Sequence, residues 1–355
     1  MKTFLIFTDY HRAEVASSIK QNVLSELPNA RVIIIDDMDL HANLMLDFIE
    51  NFTFFKVNME KRGALKEERK AEKNVDELPP FSNQFLEEED SYKAMLNYFA
   101  KYTPDYVITI GYGAFQEAVA VRDRLGAKTK VVNFIDDYTL NKMLVSPYLD
   151  GYVVENMPLK KELIALGVAI DKVAISALPI ENKYFDFNAI KGNRRIDLNP
   201  LMDTVLYLAS SEKTDHRKNL NALKKYEGKV NLVVYCGQNR DSYRYCLKAG
   251  LNAFNEGISL PMLYDNAEVV FTTGNAYEIS VARAMGKIIV ALESEVIMES
   301  RNVDYLSSIV IDCRSSDALK RFFEDYSKEK YNTYSLRSKV VARPNILGAL
   351  EKFDD

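Results

Sequence analysis

Thr273-Gly274-Asn275 is the stretch whose residue types and position most directly imply chemistry. It follows a short apolar run at 269–271 and precedes a helical pattern that continues through Ala284 and stops at Gly286, before a second apolar run at 288–292. A strand that ends in a small-residue turn and feeds a helix presents unpaired backbone N–H groups and the positive end of the helix dipole. Together these bind phosphates and other anions. In an open parallel sheet such a turn lies outside the carboxyl ends of the strands, where ligands sit. The same segment also reads as an ordinary βαβ unit in which Gly274 only turns the chain, because one glycine carries less information than a glycine-rich fingerprint. The run 233–236 followed by Gly237-Gln238-Asn239 has a similar form, a strand leading into a glycine turn at a cleft.

The elements that position these turns alternate along the chain. Apolar runs at 3–7, 31–35, 106–110, 131–135, 151–154 and 173–175 read as buried strands. Helical patterns lie between them at 11–27, with Val15, Ile19, Val23 and Leu24 on one face, and at 88–102, 115–125 and 159–166, the last two closed by Gly126 and Gly167. Strand, helix, strand at this spacing implies right-handed parallel crossovers. Residues 178–200 carry no periodic pattern and read as a linker. A second set of units then runs through 204–208, 230–235, 269–292 and 309–311, and the tail from 318 to 353 is helical with a break at Arg343-Pro344. The expected organisation is two Rossmann-like domains, 1–180 and 201–330, joined by a linker at 181–200, with a helical tail at 331–355 that packs back on the first domain.

Bulk composition narrows the classes. A chain of 355 residues with 47% hydrophobic and 27% charged content fits two soluble domains. A net charge of −5 gives no global argument for a nucleic-acid partner. Cys236, Cys246 and Cys313 are widely spaced and odd in number, and read as reduced core thiols. With three histidines and no His/Cys cluster, no metal site is expected. No apolar run reaches the ~20 residues that span a bilayer, and the start reads as a first strand rather than a signal peptide, so a cytoplasmic location is expected. Residues 44–59 are rich in large apolar and aromatic side chains and are followed by a lysine-rich run at 61–73. That pairing suits contact with an anionic membrane surface, and equally suits a core helix followed by a solvated loop.

Several segments, in order, resemble the glycosyltransferases that build monogalactosyl- and glucosyl-diacylglycerol, relatives of the enzyme that completes lipid II. Cys236-Gly237-Gln238-Asn239 resembles the family's C-G-x-N motif, and the segment from Asp136-Asp137-Tyr138 to Asn141-Lys142 resembles its T-D-F-x-x-H-x motif. Residues 153–167 and 173–180 resemble the helix and strand before its linker, and 262–268 the helix before its donor loop. Glu299 and Asn302 fall on its Q-E-x-x-N segment. The similarity spans about 106–306. It implies a GT-B fold, two doubly wound α/β domains facing a central cleft, with a nucleotide sugar, a UDP-sugar by expectation, on the C-terminal side. A lipid or cell-envelope acceptor is expected on the N-terminal side, at the inner face of the membrane. The implied reaction is an inverting transfer without metal or other cofactor. A base deprotonates the acceptor hydroxyl, and backbone amides hold the departing diphosphate.

Residue by residue, the resemblance places donor contacts at Gly237, Asn239, Thr273, Gly274, Asn275, Ala276, Glu278, Glu299 and Asn302. It places the catalytic base at Asp137 or His11, and acceptor contacts at Tyr10, Tyr138 and Asn141. The departures are specific. The family's first glycine loop is Thr8-Asp9-Tyr10-His11-Arg12, and its histidine after the conserved aspartate is Asn141, which cannot shuttle protons near neutral pH. Its paired glycines are Asn275-Ala276, and its ribose-binding glutamate is Val281, with Glu278 one helical turn earlier. Its sugar-contacting glutamine is Met298, and Glu181 stands for an arginine. His11 also reads as a surface residue beginning a helix, Asp137 as a helix N-cap, and Glu278 as a first-turn acid. A non-catalytic GT-B binding partner is the alternative reading, and a sugar-nucleotide epimerase a third.

Overall fold

The computed structural model describes residues 1–9, 12–36, 76, 90–111, 114–185, 196, 198–326, 331 and 343–354. The chain divides into two compact units, Met1–Glu181 with Arg343–Asp355, and Asn182–Ala342. The first unit contains β1 (Thr3–Thr8), α1 (Ala13–Glu26), β2 (Arg31–Asp36), α2 (Asp90–Tyr102), β3 (Tyr106–Ile110) and α3 (Phe115–Leu125). It continues with β4 (Lys130–Phe134), β5 (Gly151–Val154), α4 (Met157–Ala165) and β6 (Val173–Ile175). Its strands form one all-parallel sheet in the order β2-β1-β3-β4-β5-β6. β1, β3 and β5 are buried at every position, as expected of a sheet covered by helices on both faces.

The second unit contains β7 (Thr204–Leu208), α5 (Arg217–Lys224), β8 (Asn231–Gly237), α6 (Arg240–Ala249), β9 (Asn252–Asn255) and α7 (Leu260–Asn266). After these come β10 (Val269–Thr272), α8 (Ala276–Ala284), β11 (Ile288–Ala291), α9 (Ile297–Tyr305), β12 (Val310–Asp312) and α10 (Ser316–Asp325). This sheet is also parallel throughout, in the order β12-β11-β10-β7-β8-β9. The expected doubly wound α/β architecture is therefore present in both units. Helix and strand ends differ from the sequence reading by one or two residues. The edge strand β9 has no exposed-to-buried alternation to mark it, and its pairing with β8 shifts register between Tyr235 and Gly237.

The last helix, α11 (Ile346–Leu350), belongs to the first unit. Asn345 caps it, accepting from Gly348 N at 3.0 Å, while the Asn345 amide donates to Ser176 Oγ at 3.0 Å. Phe353 lies against Gly151 so closely that a Cβ there would sit 2.5 Å from the ring. Asp354 accepts hydrogen bonds from Tyr106 Oη and Lys2 Nζ. All three cysteines are buried free thiols. Tyr10, His11, the aromatic run at 44–59 and the basic run at 61–73 lie outside the described residues.

Candidate functional site

In the second sheet the chain winds from β7 through β8 to β9 in one direction and from β10 through β11 to β12 in the other. The order reverses between β7 and β10, and in doubly wound sheets ligands bind outside the strand ends at that point. Here the reversal is bridged by polar side chains. Ser210, two residues beyond β7, donates its hydroxyl to Glu278 Oε1 at 3.2 Å, and Thr272, the last residue of β10, donates to Glu278 Oε2 at 2.5 Å. Glu278 stands in the first turn of α8, where a carboxylate is favoured by the helix dipole. Gly237 closes β8 with φ +50°, and a Cβ on it would lie 3.1 Å from Ser210 Cβ. Three strand ends thus converge around one hydroxyl.

Gly274 is required at its position. Its φ is +111°, and a Cβ would sit 2.9 Å from the Glu299 carbonyl carbon and from Val303 Cγ2, and closer still to the Glu299 carbonyl oxygen. The turn is fastened from both sides: Asn302 Nδ2 donates to Gly274 O at 3.1 Å, and Gly274 N donates to Thr272 Oγ1 at 3.1 Å. Asn275 caps α8, its Oδ1 accepting from Glu278 N at 3.1 Å. Two of the amides that would face an anion therefore already have acceptors from the chain itself. Thr273 and Ala276 are buried, Asn275 is half-buried, and Val281 is buried in the core. Asn302 is fully buried, so its amide acts by holding the loop. Glu299 is buried and accepts a short hydrogen bond from Ser294.

The loop after β7 is held from behind. His216 is buried, with Nε2 2.9 Å from Ser211 O and Nδ1 2.7 Å from Tyr207 Oη. A carbonyl only accepts, so Nε2 carries the proton, and Tyr207 donates to Nδ1. Asn219 Nδ2 donates in turn to Tyr207 Oη at 3.1 Å, and also to Glu293 O at 2.8 Å. Asn239 Nδ2 donates to Ser211 O at 2.7 Å, while its Oδ1 caps α6 through Ser242 N at 3.0 Å. Burial lowers the His216 pKa to about 4, so the ring is neutral at physiological pH. Burial likewise raises the Tyr207 hydroxyl far above its ordinary range.

The first sheet has its own reversal, between β1 and β3. Arg12 lies over it: its guanidinium pairs with Asp9, donates from Nε to Asp136 Oδ2 at 2.8 Å, and approaches Gly111 so closely that a Cβ there would meet Cζ at 2.9 Å. Asp137 is half-buried beside it in sequence, and Tyr138 is buried, its carbonyl accepting from Asn156 Nδ2 at 3.1 Å. Asn141 is buried and caps the turn at Lys142–Leu144 through Met143 N at 3.1 Å. Among the described residues, no group of three or more His, Cys, Asp or Glu side chains is arranged to hold a metal ion.

No family model matches the chain, and no curated protein matches it by sequence. Its structure is similar over nearly its full length to several solved ones. MurG from Acinetobacter baumannii superposes with a TM-score of 0.56 at 12% identity, covering 99% of this chain and 100% of MurG. HepE from Anabaena, in complex with UDP and glucose, gives 0.58 at 12% identity over 99% and 98% of the two chains. UDP-GlcNAc 2-epimerase from Neisseria meningitidis, bound to UDP-GlcNAc, gives 0.55 at 14% identity over 99% of each. The fold is GT-B.

In the second unit Ser210 and Thr272 stand at the sheet reversal with His216 buried behind the loop, and in the first unit Arg12 stands at the other reversal; none of the four is among the site residues read from the sequence. Ser210-Ser211 carries a usable signal, a hydroxyl pair directly after a buried strand, the same form as Thr273-Gly274 after β10. His216 carries none, because a lone histidine five residues after Ser211 does not show which loop groups its ring will face, and Arg12 carries none, because Asp136 is brought to it only by the sheet order.

Proposed function

We propose that this chain is a glycosyltransferase that moves a sugar from a nucleotide-sugar donor, a UDP-sugar by preference, to a lipid or cell-envelope acceptor. The observation that carries the reading is the hydroxyl-bound carboxylate of Glu278 at the β7/β10 reversal, beside the Gly274 turn and the N-terminus of α8. A carboxylate so placed accepts hydrogen bonds from sugar hydroxyls, and the neighbouring amides favour a diphosphate. HepE and the epimerase hold UDP or a UDP-sugar in a fold of this kind. Glu278 takes over the ribose contact that the buried Val281 cannot make. Asp137 is the proposed base for the acceptor hydroxyl, and inversion without metal is the proposed course. Gly237, Asn239, Thr273, Gly274, Asn275, Ala276, Glu299 and Asn302 complete or support the donor side. The 44–73 segment is the proposed peripheral membrane contact.

The second reading, a GT-B protein that binds without catalysis, is favoured by one observation: Asn275 already caps the α8 amide of Glu278. A thermal-shift panel of UDP, GDP, ADP and their sugars separates the cases. Stabilisation by a uridine nucleotide with wild-type donor hydrolysis, lost in Asp137→Ala, supports the enzyme. Stabilisation without turnover supports the binding partner, and no stabilisation by any nucleotide at millimolar concentration counts against the enzyme and leaves the non-catalytic reading.

A further inference from the structure

The charge of this chain is unevenly placed. Residues 212–249 contain nine Lys or Arg and four Asp or Glu, a net charge of +5 in a chain of net −5, so the rest carries −10. The excess lies on two neighbouring helices, α5 and α6. Tyr245 Oη donates to Asn221 Oδ1 at 2.5 Å and Lys224 Nζ donates to Ala249 O, ties that set the helices side by side and parallel. Arg240, Arg244 and Lys248 recur every four residues and so share one face of α6, and Lys225 ends α5. All four are exposed, as are Arg217, Lys218 and Lys224. Leu247, 56% exposed, stands between Arg244 and Lys248. Lysines at the ends of these helices complement the dipoles, Arg217 is paired with Asp215 and Lys218 with Glu293, but Arg240 is the first residue of α6, where a cation opposes the dipole. Helix stability does not account for Arg240.

We propose that the α5/α6 face is a docking surface for the anionic headgroups of a phospholipid bilayer. The surface is independent of the 44–73 segment and of the transferase reading. Complementary charge selects the partner, and the exposed Leu247 suits an interface with apolar material below the headgroups. A single-stranded nucleic acid would call for exposed aromatic platforms, whereas Tyr243 and Tyr245 are half-buried and the Tyr245 hydroxyl is tied to Asn221. Because each cation near an anionic leaflet is worth about fivefold in partition, neutralising three should weaken binding about 100-fold.

The test is co-sedimentation of the full chain with phosphatidylcholine vesicles with and without phosphatidylglycerol, across a salt series, for wild type and for Lys225→Gln/Arg244→Gln/Lys248→Gln. These three side chains are exposed, so the variant should fold and keep its response to UDP, with its melting temperature lowered only by the two lost dipole contacts, those of Lys225 and Lys248. Expected are binding to the phosphatidylglycerol vesicles alone, its loss at high salt, and a fall of about two orders of magnitude in the variant. Unchanged sedimentation of the variant overturns the proposal, as does absence of binding by wild type. Tighter binding of wild type to an oligonucleotide than to the anionic vesicles overturns it in favour of a nucleic-acid surface.

Discussion

Replacing Gly274 by alanine tests the central geometric claim, that the turn after β10 is set by contact with the start of α9. The new Cβ would lie 2.9 Å from the Glu299 carbonyl carbon and Val303 Cγ2 and nearer still to the Glu299 oxygen, at a backbone φ of +111°. The opposing atoms are largely main chain, and Asn302 holds the Gly274 carbonyl from the same helix, so the neighbour cannot rotate away. Overpacking costs roughly 1–3 kcal/mol, and an L-residue in a left-handed conformation roughly 1–2 kcal/mol more. The smaller entropy of an unfolded alanine returns about 0.4–1 kcal/mol, leaving a net loss of about 1–4.5 kcal/mol. Gly228→Ala supplies the control, because Gly228 has a similar φ of +89° and nothing within 4 Å of a Cβ. It should cost only about 1 kcal/mol. The assay is urea unfolding of both variants under identical conditions, with UDP-dependent thermal shift measured alongside. If the two variants agree within about 0.5 kcal/mol, the scatter expected of unremarkable sites, the claim that α9 crowds the turn is wrong.

Other outcomes follow from the same structure. His216 has a folded pKa lowered to about 4, so its stabilisation is complete above the unfolded value near 6.5 and is lost as pH falls towards 4. The wild type should lose about 2–3 kcal/mol more than His216→Gln between pH 7.5 and 4.5, and parallel urea curves at the two pH values would contradict this. Asn275→Ala removes a cap worth about 1 kcal/mol but frees the Glu278 amide, so it should lower the melting temperature of the apo protein and enlarge the shift given by UDP. Phe353→Ala should cost about 3–5 kcal/mol by emptying the site against Gly151, read by urea unfolding of the first unit. Glu278→Gln should raise the UDP dissociation constant about tenfold in calorimetry, the scale of a hydrogen bond to a charged group.

The alternation of buried strands and helices could be read without a structure, because parallel strands covered on both faces are continuous apolar runs and their helices end at glycines such as Gly126 and Gly286. The glycine turns at Gly237 and Gly274 were legible for the same local reason, a strand ending in a residue that tolerates positive φ. What those turns face was not. Sequence spacing does not say that β7 lies between β8 and β10, and only that order brings Ser210 to Glu278 across the reversal. It likewise cannot show that Asn302 holds the Gly274 carbonyl, that Asn275 spends its side chain on a cap, or that Val281 faces the core. Arg12 and Asp136 lie 124 positions apart and meet only because β1, β3 and β4 are neighbours. Local backbone preference and burial pattern thus specify the elements, while the chemistry of the site depends on side chains from separate strands. Their meeting is decided by the topology of the sheet.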